Sequence, residues 1–591
     1  MSASFAKFLA IAGVIIPVAV AAVLCATPSA LTRARNRSLN KMGRGMSREA
    51  QKPKTPATLA LINGDIYTVA SQPVHAQAVA IQGEKIVAVG SDNDVRAWLG
   101  PHTRVIDLHG RFAMPGFNDA HTHLASAGMG MLTVNLEGAK SLAEFQQRIR
   151  AALKNYKPGE WITGRGWDHT LWPEKRFPTR WDLDAVSKDH PMIFGRVDGH
   201  VAVANSLALK LSGITKDTPD PAAGHIVRVG QTGEKTGEPN GMLEEDAAMS
   251  LVYRHVPPAS HERRRRGIEL ALADAVSHGV TSIQDYSTWQ DFLVYRELKQ
   301  KGKLPLRITE WLTFTEPLAK LEEERREGGA TDPWLKTGAL KAFMDGSLGS
   351  RTAAMLAPYS DDPSTSGILR MQPKELNAMS IERDKAGFQL NFHAIGDQAN
   401  RVALDAFAAV RAANGPRDRR DRVEHAQIVA PEDFGRFAEL NVIASMQPVH
   451  LLDDERWAGA RVGPERSKGA YAWNTMRKHG VHLAFGTDYP VEGIDPLRGL
   501  YACVTRELPE GGPSGGWEPQ EKLPMSDCIS DYTVGSAYGE FEENAKGQIK
   551  PGMFADIVVY PVDITRIPAA QLLHTSADMT ITGGRIVYER H

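Results

Sequence analysis

Cysteine is scarce: Cys25, Cys503 and Cys528 are the only three in 591 residues. Three cysteines build no disulfide framework and their spacing forms no zinc ribbon, so any metal has to be held by His, Asp, Glu or Lys. Net charge is missing too, because 69 Lys and Arg nearly cancel 70 Asp and Glu. No overall field therefore draws the chain to nucleic acid or acidic lipid, and a small molecule is the expected partner. With 42% apolar and 24% charged residues, the composition excludes a disordered chain and a multi-span membrane protein. The length exceeds one hydrophobic core, which predicts a large domain with a smaller appended one, or two to three domains.

One long apolar run is present, and it stands at the start. "FLAIAGVIIPVAVAAVLCA" gives 19 uncharged residues from Phe8 to Ala26, followed by the basic "TPSALTRARNRSLNKMGR". The run is long for a signal-peptide core and just long enough to span a bilayer. Small residues at Ala22, Ala26 and Ala30 permit cleavage, whereas the length and basic flank favour a retained anchor. Residues 1–30 are thus expected to be a signal peptide or a membrane anchor, and 31–56 a basic linker. Either reading predicts an exported, periplasmic or extracellular protein, or one tethered to a membrane through residues 8–26.

Short alternating stretches follow at both ends. "ATLALINGDIYTV" and "AVAIQGEKIVAVGS" near the start, and "ADIVVYPVD" and "MTITGGRIVYER" near the end, read as antiparallel strands around tight turns. Residues 57–112 and 536–591 are expected to pair as one small β-sandwich. Between them lie eight buried-strand candidates: 111–117, 280–286, 306–313, 338–345, 388–394, 422–428, 442–448 and 482–488. Helical patterns such as "QANRVALDAFAAVRAANG", with its glycine stop, separate them. Strands alternating with helices predict an α/β fold, a (β/α)8 TIM barrel over 113–535 with a large insertion after strand one, about 125–260. An open doubly wound sheet is the alternative, and no glycine-rich phosphate fingerprint follows the first strand to support it.

Active sites of such barrels form at the C-terminal ends of the strands. In an extended segment residues i and i+2 point the same way, so His121 and His123 of "MPGFNDAHTHL" can converge on one ion. Lys341, His393, His425 and Asp488 fall at later strand ends. Taken singly each has an ordinary reading: a polar histidine at a strand end, a solvated lysine, an aspartate in a turn. Their coincidence at strands one, four, five, six and eight is what points to a metal centre. In the insertion, Trp161, Trp167, Trp172 and Trp181 either line a pocket or pack a core, and "ERRRRG" at 262–267 reads as a solvated helix face.

The segments "PGFNDAHTHL", "KAFMDGSLGSRTA", "NFHAIGD", "RVEHAQ" and "FGTDYP" resemble the amidohydrolase superfamily. The insertion, with "GRGWDHTLWPEKRFPTRWDLDAVSKDHPMIFGRVDGHVAVANSLAL", is similar to its YtcJ-like branch, which includes N-substituted formamide deformylase. The resemblance runs from about residue 57 to the C-terminus. It implies that His121 and His123 hold one metal, that His393 and His425 hold a second, and that Lys341, carboxylated on its amine, bridges the two. Zinc is the implied metal, with iron or manganese also suited to N and O donors; a single ion held by His121, His123, a further His and Asp488 is the alternative. Asp488 would take a proton from metal-bound water and pass it to a leaving nitrogen. Trp167 is a weaker candidate for substrate contact, and Asp198, His200 and Asp345 are weaker candidates for positioning substrate or supporting the ligands, with a buried structural histidine the other reading of His200. The expected function is hydrolysis of a non-peptide C–N bond in an amide, formamide or related small molecule. Esterase, lactonase, cyclic amidase or deaminase chemistry on the same site, or a catalytically silent regulatory member, are the alternatives.

Overall fold

The computed structural model describes residues 55–196, 200–221, 224–230 and 237–590. The apolar run at 8–26 lies outside them, and among the described residues no helix is long and apolar enough to cross a membrane. Eight strands form one all-parallel sheet in chain order: β1 (Phe117–Thr122), β2 (Val280–Tyr286), β3 (Arg307–Thr313), β4 (Leu335–Phe343), β5 (Leu390–Ala394), β6 (Arg422–His425), β7 (Ile443–Met446) and β8 (Leu483–Phe485). Parallel neighbours need crossover connections, and helices supply most of them, among them His261–Ser277, Trp289–Gln300 and Asp397–Asn414. The last of these stops at Gly415, which takes φ +75°, as the sequence pattern predicts.

The barrel closes where the chemistry was expected. Thr122 bridges Tyr489 in parallel, the Asp488 amide donates to the His121 carbonyl at 2.8 Å, and the His123 amide donates to the Tyr489 carbonyl at 2.7 Å. Asp119 adds a side-chain clamp, accepting from the His121 and Thr487 amides at 3.1 and 3.0 Å and from the Thr487 hydroxyl at 2.6 Å. Gly486 permits this approach: a Cβ there would lie 2.5 Å from Asp119 Oδ1 and 2.6 Å from the His121 nitrogen.

The first strand differs from expectation. The run 111–117 is not barrel strand one; Phe112–Pro115 pairs with Ile557–Tyr560 and Asp65–Tyr67 in the terminal β-domain, and β1 starts only at Phe117. Gly116 is the joint, with its amide bonded to the Asp556 carbonyl and Thr281 so close that a Cβ would meet it at 2.2 Å. Because 112–115 and 117–122 are both fully buried, the apolar run offers no mark of the change of sheet. The terminal domain itself pairs a four-stranded sheet from residues 59–107 with a six-stranded sheet that joins both chain ends. Leu61, Val79, Ile81, Ile557, Val559 and Ile581 belong to one apolar cluster that spans the two sheets.

The insertion folds around its own six-stranded mixed sheet, from Val134–Asn135 to Pro239–Glu244. Trp167 and Trp172 are fully buried in its core with Phe145 and Phe194, and each indole N–H donates to a backbone carbonyl. Cys503 and Cys528 form a disulfide that links the helices Pro496–Thr505 and Met525–Ser530. One bridge does not make a framework, and a separation of 25 residues carries no motif that would announce it.

Candidate metal centre

His121 ends β1 inside the barrel and His123 follows it, half-buried. Asp488 Oδ1 lies 3.2 Å from His123 Nε2 and 3.6 Å from His121 Nε2, without a well-directed hydrogen bond to either. Its other oxygen, Oδ2, is 3.9 Å from Nε2 of His450, a residue the sequence reading missed. Two sets of donor atoms result, His121/His123/Asp488 and His425/His450/Asp488, each with all atoms within 4.8 Å of one another. Lys341 Nζ joins the first set, 2.8 Å from His121 Nε2. His425, Ala426 and Asp488 adopt φ of 76°, 43° and 59°. Left-handed backbone is costly for such residues, and its concentration here is the pattern of a site whose geometry the surrounding packing enforces.

A second layer fixes the rings. Glu424 Oε2 faces His121 Nδ1 at 3.0 Å, and both side chains are wholly buried. Arg422, two residues earlier on the same face of β6, pairs with Glu424 at 2.9 Å and also donates to the Ala120 carbonyl and the Ser445 hydroxyl. His123 Nδ1 bonds the Tyr286 carbonyl at 3.0 Å, and His425 Nδ1 bonds Gln447 Oε1 at 2.8 Å. For His123 and His425 an acceptor holds the proton on Nδ1 and leaves the Nε2 lone pair for the centre, whereas Glu424 stands close to Nδ1 of His121 without a well-directed hydrogen bond. Asp285, at the end of β2, accepts from the Thr122 hydroxyl at 2.8 Å and the Leu124 amide at 2.7 Å, gripping the chain on both sides of His123.

Charge states agree with a ligand set. Burial pushes His121 down to about 4, assisted by Lys341, so its imidazole is neutral at pH 7. Burial alone would raise Glu424, but Arg422 and His121 outweigh it and bring the carboxyl down to about 2. Asp488 is likewise held well below the carboxylate range: burial opposes, and His121, His123, His425 and His450 prevail. Burial lowers the Lys341 amine to about 8. A neutral imidazole at His121 beside an ionised Asp488 matches the protonation states that a metal requires of its ligands.

The remaining candidates sit as follows. His393 ends β5 beside the centre, its ring 4.6 Å from that of His425, but Nε2 is turned to the Gly346 carbonyl at 3.0 Å and to Asp345 at 3.4 Å. Asp345 is fully buried and accepts from the Ala354, Ile395 and Gly396 amides at 2.9, 3.1 and 2.8 Å, tying together the loops after β4 and β5. With both oxygens engaged it braces the loops beside the site. Trp167 is packed in the insertion core and offers no open surface to a substrate. His200 is not buried; it is exposed beside Glu245 at 3.1 Å. Asp198 lies outside the described residues. A cavity of about 410 Å³ opens at His123 and Trp311 and continues along Tyr286, Trp289 and Glu316, which places it next to the first donor set.

A parallel (β/α)8 barrel with histidines and an aspartate converging at its strand ends defines a metal-dependent hydrolase. The chain belongs to the amidohydrolase family, which it matches over residues 104–588. Within it the chain falls in the YtcJ-like branch. It is 33% identical to YtcJ of Bacillus subtilis, covering 89% of this chain and 98% of that one, and 36% identical to Protein LONG AFTER FAR-RED 3 of Arabidopsis thaliana, covering 85% and 87%. N-substituted formamide deformylase of Arthrobacter pascens is 27% identical, with 90% and 98% covered. Among solved structures, an uncharacterized metal-dependent hydrolase from Pyrococcus furiosus superposes with a TM-score of 0.72 at 32% identity, covering 86% of this chain and all of that one.

Proposed function

We propose that the protein hydrolyses a non-peptide C–N bond, in an amide, formamide or related small molecule, at this centre. The observation that carries the reading is Asp488, a buried carboxylate placed between two histidine pairs with one oxygen toward each. Zinc fits the N and O donors best, as one ion or two, and iron or manganese suits the same set. A bound ion of this kind lowers the pKa of a coordinated water and polarises a carbonyl. The residues do the rest. Asp488, ionised at neutral pH, accepts a proton and returns it to the leaving nitrogen, a step that amide cleavage needs because an amine anion leaves poorly. Lys341, with its amine lowered to about 8 by burial, has a raised share of the neutral form that takes up carbon dioxide. Its carbamate would add an anionic oxygen beside His121. A relative named as a formamide deformylase supports the choice of C–N bond.

We also propose that the protein is exported or membrane-anchored. The apolar run at 8–26 supports this, and so does the Cys503–Cys528 disulfide, since disulfides persist in oxidising compartments. Hydrolysis is tested by supplying metal-reconstituted enzyme with N-formyl amines, N-acyl amines, cyclic amides, esters and lactones. Metal-dependent release of an amine is expected. Turnover of esters and lactones alone, by enzyme that holds its metal, would contradict the C–N assignment.

A further inference from the structure

The cavity that opens at His123 is lined by more acid than the reaction proposed above uses. Asp291, Glu310, Glu316 and Glu324 stand in its wall, and Lys320 is the base among them. Arg264 pairs with Asp291, and Lys320 with Glu316 at 2.9 Å. Lys320 reaches Glu324 only at 3.8 Å, and Glu310 has no cationic partner among the described residues.

Glu310 is the decisive member. It stands on β3, is 1% exposed, and accepts from the Ser287 amide through Oε1 at 3.0 Å. Its Oε2 is buried without a donor, which is unfavourable unless something in the cavity supplies one. Nearby Asp285 cannot help, because it is itself an acid already engaged with Thr122, Leu124, Ser287 and Tyr295. Burial, with the like charge of Asp285 added, pushes the Glu310 carboxyl well above the carboxylate range.

We propose that the cavity binds a protonated amine, so that the substrate carries an alkylammonium group remote from the C–N bond cleaved at the centre; this rests on the hydrolytic reading above. Tyr286 and Trp289 give the cavity an aromatic wall, and Trp289 is fixed by stacking on Phe292 with ring centroids 4.6 Å apart. Ring faces attract ammonium groups, and a carboxyl beside them accepts the N–H bonds. A metal ion suits the cavity less well. Among the described residues the donor sets close enough to share an ion are the two at the centre, and neither includes a cavity acid. The two places are also joined by one loop: the Tyr286 carbonyl holds His123 Nδ1 at 3.0 Å, and the next residue, Ser287, holds Glu310.

Matched substrates read the preference. N-acetylputrescine and N-acetylpentylamine have the same length, and one ends in an ammonium where the other ends in a methyl group. Full-length, metal-loaded enzyme is expected to favour the charged amide by about 10- to 100-fold in kcat/KM, the range for hydrogen bonds to a charged group. Glu310→Gln and the half-buried Glu316→Gln should each shrink that ratio by about tenfold. Circular dichroism checks folding, and Glu316→Gln carries the test if Glu310→Gln fails it. Equal kcat/KM for the two amides, or a preference that both variants keep, would overturn the proposal and leave the hydrolytic reading intact. If neither amide is cleaved, calorimetry with pentylammonium and its uncharged counterpart pentanol decides. Tighter binding of pentylammonium, weakened in the variants, keeps the cation site while the C–N reading falls; equal or undetectable binding of both removes the site.

Discussion

The two histidine pairs flanking Asp488 are held by different chemistry. His121 faces the buried carboxylate of Glu424, itself held ionised by Arg422, whereas His425 donates to the neutral amide oxygen of Gln447. A charged acceptor makes a hydrogen bond roughly twice as strong as a neutral one and makes the imidazole more basic toward a metal. A metal at the His121 position is therefore expected to be held more tightly than one at the His425 position. The pairs also differ in how they are assembled. His121 and His123 are two residues apart on one strand end, while His425 and His450 come from neighbouring strand ends and meet only in the folded barrel.

Asp488→Asn removes what the pairs share, and the largest effect is expected there: kcat falls by about 10²–10⁴-fold, the range for loss of a proton-transfer group. Steady-state kinetics on metal-loaded protein measures it, and unchanged kcat with metal retained would remove the proton-shuttle role. Glu424→Gln gives His121 the kind of partner that His425 has. Metal affinity at the stronger position should drop by about 10–100-fold, as for other losses of a ligand's hydrogen-bonding partner. Gln447→Met, which removes a neutral acceptor, should weaken the other position by less, about threefold to tenfold. Competition with a chromophoric chelator ranks the two variants, and equal losses would erase the difference between the pairs.

The smallest effect expected is a pH effect on the metal-free protein. His121 drops from 6.5 to about 4 on folding, mainly through burial. Its contribution to stability is therefore fully present above pH 6.5 and is lost as the pH falls from 6.5 through 4, the range in which the unfolded chain takes up a proton that the folded chain refuses. Urea unfolding with chelator at pH 7.5, 5.5 and 4 should show wild type losing more stability on acidification than His121→Gln. Parallel curves would contradict the assignment of His121 as a buried neutral imidazole.

These contrasts track what the sequence discloses. The H-x-H pair and the aspartate of "FGTDYP" are local patterns at strand ends, and the barrel follows from apolar runs alternating with helical periods. Phe112–Pro115 misleads because burial on both faces looks alike in two different sheets. His450 carries no pattern at all: it follows a proline in a turn after β7, and only the barrel's curvature brings it to Asp488. Arg422 and Glu424 did leave a trace, two opposite charges at i and i+2 within a strand that is buried throughout. Such charges inside a core require each other or a site to serve. The tryptophans of the insertion were legible as a cluster, but whether a cluster lines a pocket or fills a core depends on the sheet beneath it. Here each indole N–H bonds a backbone carbonyl within the core.

The central claim is that Asp488 and the two histidine pairs form a metal centre that activates water. Its most direct test is metal analysis of protein purified without chelators, followed by chelation and reconstitution with amide hydrolysis as the readout. Stoichiometric zinc, iron or manganese, lost together with activity on chelation and restored with it, is the predicted result. A folded protein that carries no such metal, binds none on reconstitution, and is indifferent to chelators would contradict it.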